Sequence, residues 1–369
     1  MIDLTWTKTT VGLVAFFIFI YLLFVAVYYK KYAYKPQWQN KKVDGALAFF
    51  AFVLILIVAP NEGSDWFGYQ EHVWEYDFNA LYQHYEPIYG YIIAIVNKNY
   101  LLFRIVVWGG AFFLTCKAFE RFNINKNVGI FFIVTVFLLT FNYARATLGM
   151  SAYCVGLAFL LKPGKKGKIL SYIFSLFFFF LAYSCHHSLL ILVGMTFAIF
   201  LPLDRPLIIM GALILLPTAA AFMYSNFSIA DNLGDEDVAE KLQIYEEMEK
   251  ASWNIYGLFR YAIQYGAFYF PIIANAIIVI KNKKIVEKSF VKLNNVILAT
   301  VITSSAFLFM GFDNLIFTYR ILFMTMIPST ILTIHLYENK YLKRGLYNAI
   351  IIWGIAGTLF PLLYGIYIL

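Results

Sequence analysis

Charged residues are scarce in this sequence. They make up only 14% of the 369 residues, whereas 62% are hydrophobic, and the mean hydropathy is +0.71. A soluble domain of this length could not bury so much apolar surface, because folded proteins leave much of their surface in water. Long, nearly uncharged runs recur along the chain instead. The sequence therefore predicts an all-α polytopic membrane protein.

Cysteine and recognisable enzyme motifs are also scarce. Cys116, Cys154 and Cys185 are isolated within or beside apolar runs, without CxxC spacing, and are interpreted as small core residues. No HExxH, GxSxG, P-loop or dinucleotide-binding fingerprint occurs. Asp235-Glu236-Asp237 matches a metal-diphosphate DxD pattern, but it opens an acidic amphipathic helix, where carboxylates favour the N-terminus anyway. We expect no cofactor and no metal site.

Apolar runs near the length of a membrane-crossing helix, about 20 residues, divide the chain. They predict about twelve transmembrane helices, near 10–28, 43–60, 99–116, 128–143, 146–161, 169–184, 187–201, 206–224, 258–280, 293–311, 315–335 and 346–367. We expect a single integral membrane domain over residues 1–369.

The formal net charge of +8 comes from basic residues in short loops, so it indicates topology rather than a nucleic-acid partner. Alternate loops carry 21 of the 29 lysines and arginines, namely 29–42, 117–127, 162–168, 202–206, 281–292 and 336–345. Of the 21 acidic residues, 16 lie away from this basic side, and the five on it are Asp44, Glu120, Asp204, Glu287 and Glu338. The positive-inside rule then predicts that both termini are extracytoplasmic.

The two largest predicted connections lie on the outer side, and we expect them to form a lid or to bind substrate. The first, 61–100, ends in a run of about 9 apolar residues from Ile88, which is too short to cross a bilayer and is expected to lie at its surface or to dip in and return. The second, 225–256, has apolar residues at helical spacing and predicts an amphipathic surface helix.

Candidate functional residues gather on the predicted outer side. They are Arg145, His186, His187, Asp313 and Arg320, together with Asp65 and Glu86. Ionisable groups close to hydrocarbon are costly and mark functional sites by default. Simpler interpretations stay open: Arg145 as an interfacial anchor, Asp313 as a helix cap, and either histidine as a core residue. For Arg104 and Arg260, which open spans from the outer side, anchoring is favoured.

Arginines, histidines and carboxylates on one face indicate a bound anion. A guanidinium keeps its charge and matches phosphate oxygens with two parallel hydrogen bonds, so a diphosphate headgroup fits Arg145 and Arg320. A lipid diphosphate is already a good leaving group. Chemistry on it needs electrostatic stabilisation and a base, but no general acid.

At these residues the sequence resembles the EpsG family of Wzy-like polysaccharide polymerases. An outer-loop aspartate is followed four residues later by a tyrosine, as in Asp65 and Tyr69. A glutamate precedes an aromatic turn in Glu86-Pro87-Ile88-Tyr89-Gly90-Tyr91. An arginine opens a helix at Arg145, a histidine precedes an apolar run in His186-His187-Ser188, and a late arginine occurs at Arg320.

The resemblance implies a GT-C-like glycosyltransferase architecture in the bacterial cytoplasmic membrane. Such a polymerase transfers a growing glycan from polyprenyl diphosphate to the non-reducing end of a lipid-linked oligosaccharide repeat on the outer face. It implies that Arg145 and Arg320 hold the diphosphate, and that Glu86, Asp65 or one of the two histidines is the base. On this model the outer-loop aromatics Trp66, Tyr69, Trp74 and Tyr85 stack on sugar rings, and Asp313, from its place on the outer side, is a further expected substrate-binding residue. Implied partners are the bilayer, a chain-length regulator and a flippase that supplies, for example, O-antigen, capsule or exopolysaccharide repeats.

Two other functions fit parts of the pattern. A lipid-linked oligosaccharide flippase or other transporter would place ionisable groups near the midplane and commonly shows repeated halves, neither of which is visible here. An outer-face glycan ligase uses the same donor chemistry and differs only in its acceptor.

Overall fold

A computed structural model describes residues 16–21, 41–58, 73, 86–137, 144–164, 167–203, 205–226, 255–309 and 315–368. Throughout these ranges, regular secondary structure is helical. From Lys41 onward the α-helices are α1 (Lys41–Val58), α2 (Pro87–Val96), α3 (Tyr100–Arg104), α4 (Gly110–Phe122), α5 (Lys126–Val136), α6 (Ala144–Leu161), α7 (Lys168–Cys185), α8 (Leu190–Met195), α9 (Pro206–Asn226), α10 (Ile255–Lys281), α11 (Lys288–Phe309), α12 (Leu315–Phe323), α13 (Met326–Glu338) and α14 (Arg344–Ile368). The all-α prediction is confirmed. Twelve spans, the GT-C-like architecture and extracytoplasmic termini stay predictions.

Two described helices are long and apolar enough to cross a membrane. One is Tyr100–Phe122, in which a π-helical turn, Ile105–Gly109, joins α3 to α4; the other is α7, Lys168–Cys185. The second agrees with the predicted span 169–184 to within a residue at each end. The first runs beyond the predicted end at residue 116 and stops at Asn123, whose left-handed φ of 56° ends the helix.

Two predicted spans are interrupted in the structure. The span 315–335 is divided between α12 and α13, with a turn at Met324 and Thr325. Pro328 explains the break, because it has no N–H to donate to the carbonyl of Met324 and its ring crowds that carbonyl. The span 187–201 contains only the short α8, flanked by the 3₁₀ turns His187–Leu189 and Thr196–Phe200.

The chain divides into two compact units. One comprises Met1–Val193 with Tyr347–Leu369, and the other comprises Gly194–Leu346. The single integral membrane domain over 1–369 stays a prediction. So do the roles of the outer segments 61–100 and 225–256, most of which lie outside the described residues, including the predicted amphipathic helix. The apolar tail of the first segment is the short helix α2, and its expected place at the bilayer surface stays a prediction.

In the first unit, α6 packs against α4 and α7. Its close approach to α7 depends on Gly149 and Gly156, which lie two turns apart on one face. A Cβ atom on Gly149 would lie 2.9 Å from the carbonyl oxygen of Ala182, and one on Gly156 would lie 3.0 Å from that of Ser175. Only glycine fits this contact, and small residues are the usual means by which apolar helices pack closely. Because Gly149 meets the end of α7 and Gly156 its middle, the two helices are antiparallel.

Buried hydroxyl groups join α4 to the other side of α6. The Thr115 hydroxyl donates to Ser151 Oγ at 3.1 Å, and the Ser151 hydroxyl donates to the carbonyl of Thr147 at 2.8 Å. Each hydroxyl thus has a partner inside an apolar helix pair, where an unpaired polar group would be costly. Together with the glycine contact, this bond fixes α6 between its two neighbours.

Large apolar side chains cover the outward face of α7. They are exposed in the protein by itself, and they are Ile169, Ile173, Leu176, Phe177 and Phe180. A continuous apolar face of this kind would promote association in water, but it suits contact with lipid chains.

The second unit contains polar bonds between its own helices. Asn275 on α10 donates through Nδ2 to Thr333 Oγ1 on α13 at 2.8 Å, and the Ser304 hydroxyl on α11 donates to the carbonyl of Thr318 on α12 at 3.2 Å. Asn295 Nδ2 donates to the carbonyl of Leu201 at 2.7 Å, which satisfies the end of the 3₁₀ turn. These bonds hold the helices of this unit in register.

Candidate active site

The antiparallel packing of α6 and α7 brings Arg145 beside His186. Arg145 lies one turn before Gly149 on α6, and His186 directly follows α7, one turn after Ala182. Since Gly149 and Ala182 are in contact, the two ionisable residues lie at the same end of the helix pair. Their proximity follows from the close packing of α6 and α7.

Glu86 links these two side chains. It precedes α2, and Pro87 at the first helical position suits the start of a helix. The Glu86 side chain makes no capping bond to its own helix. Its Oε2 forms an ion pair with Nη1 of Arg145, and its Oε1 lies 2.6 Å from Nδ1 of His186. The Glu86 residue is only 5% exposed, and its buried carboxylate is compensated by the Arg145 guanidinium and hydrogen-bonded to the His186 imidazole.

The structure distinguishes the two adjacent histidines. His186 has extended backbone angles, φ −163° and ψ 117°, which end α7 and direct its ring toward Glu86. His187 contributes its backbone N–H, which donates to the same Oε1 at 3.3 Å, while its ring stacks on Tyr183 with centroids 4.8 Å apart. Only the ring of His186 therefore contacts the carboxylate.

The aromatic ring of Tyr89 packs against the guanidinium of Arg145. The guanidinium carbon lies 5.3 Å from the centroid of the Tyr89 ring, within the range of a cation–π contact. Tyr89 is buried one turn into α2, and its ring makes an edge contact with Phe103. Sequence reasoning assigned no role to Tyr89 or Tyr183. The signal that could have identified Tyr89 was its position three residues after Glu86, on the same face of α2.

The surroundings of Glu86 decide its charge. Burial alone would raise its pKa, but the hydrogen bond with His186 and the positive charge of Arg145 together outweigh burial and lower the pKa from 4.5 to about 2. Glu86 precedes α2, in the segment predicted to lie outside the spanning helices. At neutral pH it is therefore a carboxylate, and a carboxylate accepts the Nδ1 proton of His186. That leaves the lone pair of the neutral imidazole on Nε2.

Of the other residues predicted for the site, Arg320 alone belongs to the part of the chain that the structure describes. Asp65, Trp66, Tyr69, Trp74, Tyr85 and Asp313 lie outside the described residues. Arg320 is half-buried on α12, in the second unit.

The sequence favours Arg104 as an interfacial anchor, but the structure shows it buried. It is only 9% exposed, and its guanidinium carbon lies 4.8 Å from the Tyr100 ring centroid. In the described ranges, no group of three or more His, Cys, Asp or Glu residues could hold a metal ion.

The described helices have apolar faces that suit contact with lipid, which is typical of a membrane protein. At one end of α6 and α7 they carry a polar site, in which a buried carboxylate lies between an imidazole and a guanidinium. The chain belongs to the EpsG family, whose profile matches residues 46–367 and which is associated with Wzy-like polysaccharide polymerases. The resemblance inferred from the sequence is thereby confirmed, and so is a location in a membrane. No curated protein and no solved structure matches the chain.

Proposed function

We propose that the protein is a polysaccharide polymerase that moves a growing glycan from polyprenyl diphosphate to the non-reducing end of a lipid-linked oligosaccharide repeat. The reaction takes place on the outer face of the bacterial cytoplasmic membrane. Membership of the EpsG family supports the polymerase class. The observation that carries the proposed chemistry is the contact of the Glu86 carboxylate with both His186 and Arg145.

His186 is the base in this proposal. The Glu86 carboxylate accepts from Nδ1 and so fixes the tautomer whose Nε2 can accept a proton. The His186 side chain is 27% exposed, so an acceptor hydroxyl can reach it. The same arrangement, a carboxylate that orients an imidazole and stabilises its protonated form, recurs in unrelated hydrolases.

Glu86 itself is a weak candidate for the base. A carboxyl group with a pKa of about 2 holds a proton poorly at neutral pH, and its two oxygens are already engaged by His186 and Arg145. Its role is to position the imidazole and to compensate the imidazolium charge as it forms.

Arg145 stabilises the departing diphosphate. A guanidinium has five N–H donors, so the ion pair with Glu86 through Nη1 is compatible with a second anion on the same side chain. The Arg145 side chain is 22% exposed, which leaves it within reach of substrate. Arg320 is the proposed second ligand of the diphosphate.

The bonds formed and broken in the transfer, and the proton released, balance without a cofactor. The acceptor oxygen forms a bond to the anomeric carbon of the donor glycan, the bond from that carbon to the phosphate oxygen breaks, and the electron pair leaves with polyprenyl diphosphate. The acceptor proton moves to Nε2 of His186. The proposal further assigns acceptor binding to Asp65, Trp66, Tyr69, Tyr85 and Asp313, where aromatic rings stack on sugars.

The deciding experiment identifies the lipid-linked glycan that accumulates in a strain lacking this protein. Loss of a polymerase leaves single repeats on the lipid carrier at the outer face, and complementation restores a ladder of longer chains. Loss of a flippase leaves the same single repeats on the cytoplasmic side. Loss of a ligase leaves long chains on the carrier that never reach their final acceptor. Either of the last two results would contradict the proposal.

A further inference from the structure

A second polar feature lies at the opposite end of α6 from Arg145. Here α4 and α6 end and α7 begins, roughly 25 Å away at 1.5 Å per helical residue. The three helices enclose an open cleft of about 520 Å³. Its walls include four aromatic side chains, Phe113, Phe159, Phe174 and Phe178. Phe113 and Phe174 are also exposed at the protein surface, 58% and 40%, so the cleft is continuous with the apolar outer face.

Basic side chains surround one end of this cleft. Arg121 lies with its guanidinium carbon 3.5 Å from the centroid of the Phe159 ring, and its Nη2 donates to the carbonyl of Lys162 at 3.3 Å. Stacking on the ring and bonding to a backbone carbonyl hold the guanidinium in one orientation at the cleft. Lys117 also lines the cleft, with its Nζ 5.5 Å from the centroid of the Phe113 ring.

One carboxylate, Glu120, only partly offsets these charges. Its Oε2 pairs with Lys117 Nζ at 2.9 Å, and its Oε1 pairs with Lys126 Nζ at 3.2 Å. Lys162 adds a further ammonium group nearby and donates to the carbonyl of Phe122 at 3.1 Å. Lys117 and Arg121 line the cleft and Lys126 and Lys162 lie beside it, so four basic residues against one acidic residue give this end a positive excess.

We propose that this cleft binds an anionic phospholipid of the surrounding bilayer. The phosphate lies between Lys117 and Arg121, and an acyl chain lies along the phenylalanine walls. The positive excess selects an anionic headgroup over a zwitterionic one, because basic pockets between membrane helices bind anionic lipids. The apolar walls distinguish a lipid from a free phosphate. On the predicted topology, where 117–127 and 162–168 face the cytoplasm, the lipid belongs to the cytoplasmic leaflet.

Native mass spectrometry of the full-length protein in detergent tests this assignment. The probes are phosphatidylglycerol and phosphatidylcholine of the same chain length, with glycerol phosphate as a headgroup that has no chains. We expect phosphatidylglycerol to bind more tightly than phosphatidylcholine, and glycerol phosphate to compete poorly. Arg121→Gln should weaken phosphatidylglycerol binding about tenfold. Lys117→Gln should cause a smaller loss, because Lys117 already pairs with Glu120.

Two further variants make the test specific. Glu120→Gln removes the competing carboxylate, so it should tighten phosphatidylglycerol binding, which a purely structural role for Glu120 does not predict. Lys284→Gln, an exposed basic residue in another loop, should leave binding unchanged. The proposal is overturned by equal binding of the two lipids, by an Arg121→Gln variant that binds like the wild type, or by glycerol phosphate competing as well as the intact lipid.

Discussion

His186 Nδ1 lies 2.6 Å from Oε1 of Glu86, although the two residues are 100 positions apart in sequence. The contact joins the residue just before α2 to the residue just after α7. Because the same carboxylate also pairs with Arg145, a single buried glutamate orients the proposed base and lies beside the proposed diphosphate ligand. Activity should therefore depend on the His186 ring and not on that of its neighbour.

Replacing either histidine by alanine tests this dependence. His186→Ala removes the base and should leave single repeats or very short glycans, because general-base catalysis commonly contributes 10²- to 10⁴-fold in rate. His187→Ala keeps the backbone N–H that donates to Glu86 and loses only the stacking on Tyr183, so its ladder should stay close to that of the wild type. Glycan chain-length profiles at matched protein levels measure both.

Added imidazole provides the control for a structural defect. If His186 supplies a base, imidazole should partly restore chain growth in His186→Ala and have no effect on the wild type. Equal defects in His186→Ala and His187→Ala, with no rescue, would assign both residues to folding rather than to proton transfer.

The hairpin of α6 and α7 shows which features of the site can be predicted from the sequence. Two uncharged runs separated by a lysine-rich connection predicted both helices, and the antiparallel arrangement placed Arg145 and His186 at one end. The sequence could not decide which of the two histidines contacts Glu86. That depends on the extended backbone of His186, which follows from where α7 stops.

Other features were beyond sequence patterns because they depend on packing. Arg104 opens an apolar run, which is typical of an interfacial anchor, yet it is buried against Tyr100. The break between α12 and α13 could be predicted from Pro328. Hydropathy alone does not predict it, because it counts proline as one more residue in a continuous run.

The contact between α6 and α7 predicts that Gly149→Ala disturbs the site. The added Cβ would lie 2.3 Å from Leu189 Cδ1 and 2.9 Å from the carbonyl of Ala182, and overpacking of this kind typically costs about 1–3 kcal/mol. Thermal stability in detergent and polymer length should both fall. Gly90→Ala is the matched control, because its Cβ would meet no atom within 4 Å. Similar losses in both variants would show that the α6–α7 contact is not what matters.

Acid should weaken the fold through Glu86. Its pKa is lowered from 4.5 to about 2, so its contribution is present above about pH 4.5 and is lost as the pH falls toward 2. The contribution is on the order of 3 kcal/mol. Between about pH 6 and pH 3, the wild-type Tm should therefore fall further than that of Glu86→Gln, which has no proton to take up there. Parallel curves for the two proteins would contradict this role of Glu86.

The orientation of the chain can be tested with fused reporters. Alternating basic loops predict that a reporter placed after Lys166 is active only in the cytoplasm, and that one placed after Asp237 is active only outside. The reverse result at either position would move the Glu86 site to the other side of the membrane.

Arg145→Lys separates a diphosphate ligand from an interfacial anchor. Lysine supplies the charge without the fork that matches phosphate oxygens. Loss of such a bond in the transition state costs about 2–4 kcal/mol, or roughly 30- to 1,000-fold in rate. We expect normal expression with mostly single-repeat or very short glycans, and a defect at least as large in Arg145→Ala. An anchor predicts a nearly silent Arg145→Lys, because lysine reaches the interface as well as arginine does.

Arg145 also pairs with Glu86, so the defect of Arg145→Ala could arise from the unpaired carboxylate alone. A double-mutant comparison separates the two causes. If Arg145 serves only to compensate Glu86, then adding Arg145→Ala to a Glu86→Gln background should cause no further loss, because no carboxylate charge is left to compensate. If Arg145 binds the diphosphate, the double variant should make shorter chains than Glu86→Gln by itself. Since the neutral glutamine leaves the guanidinium site otherwise intact, the additional loss measures the contact with the donor.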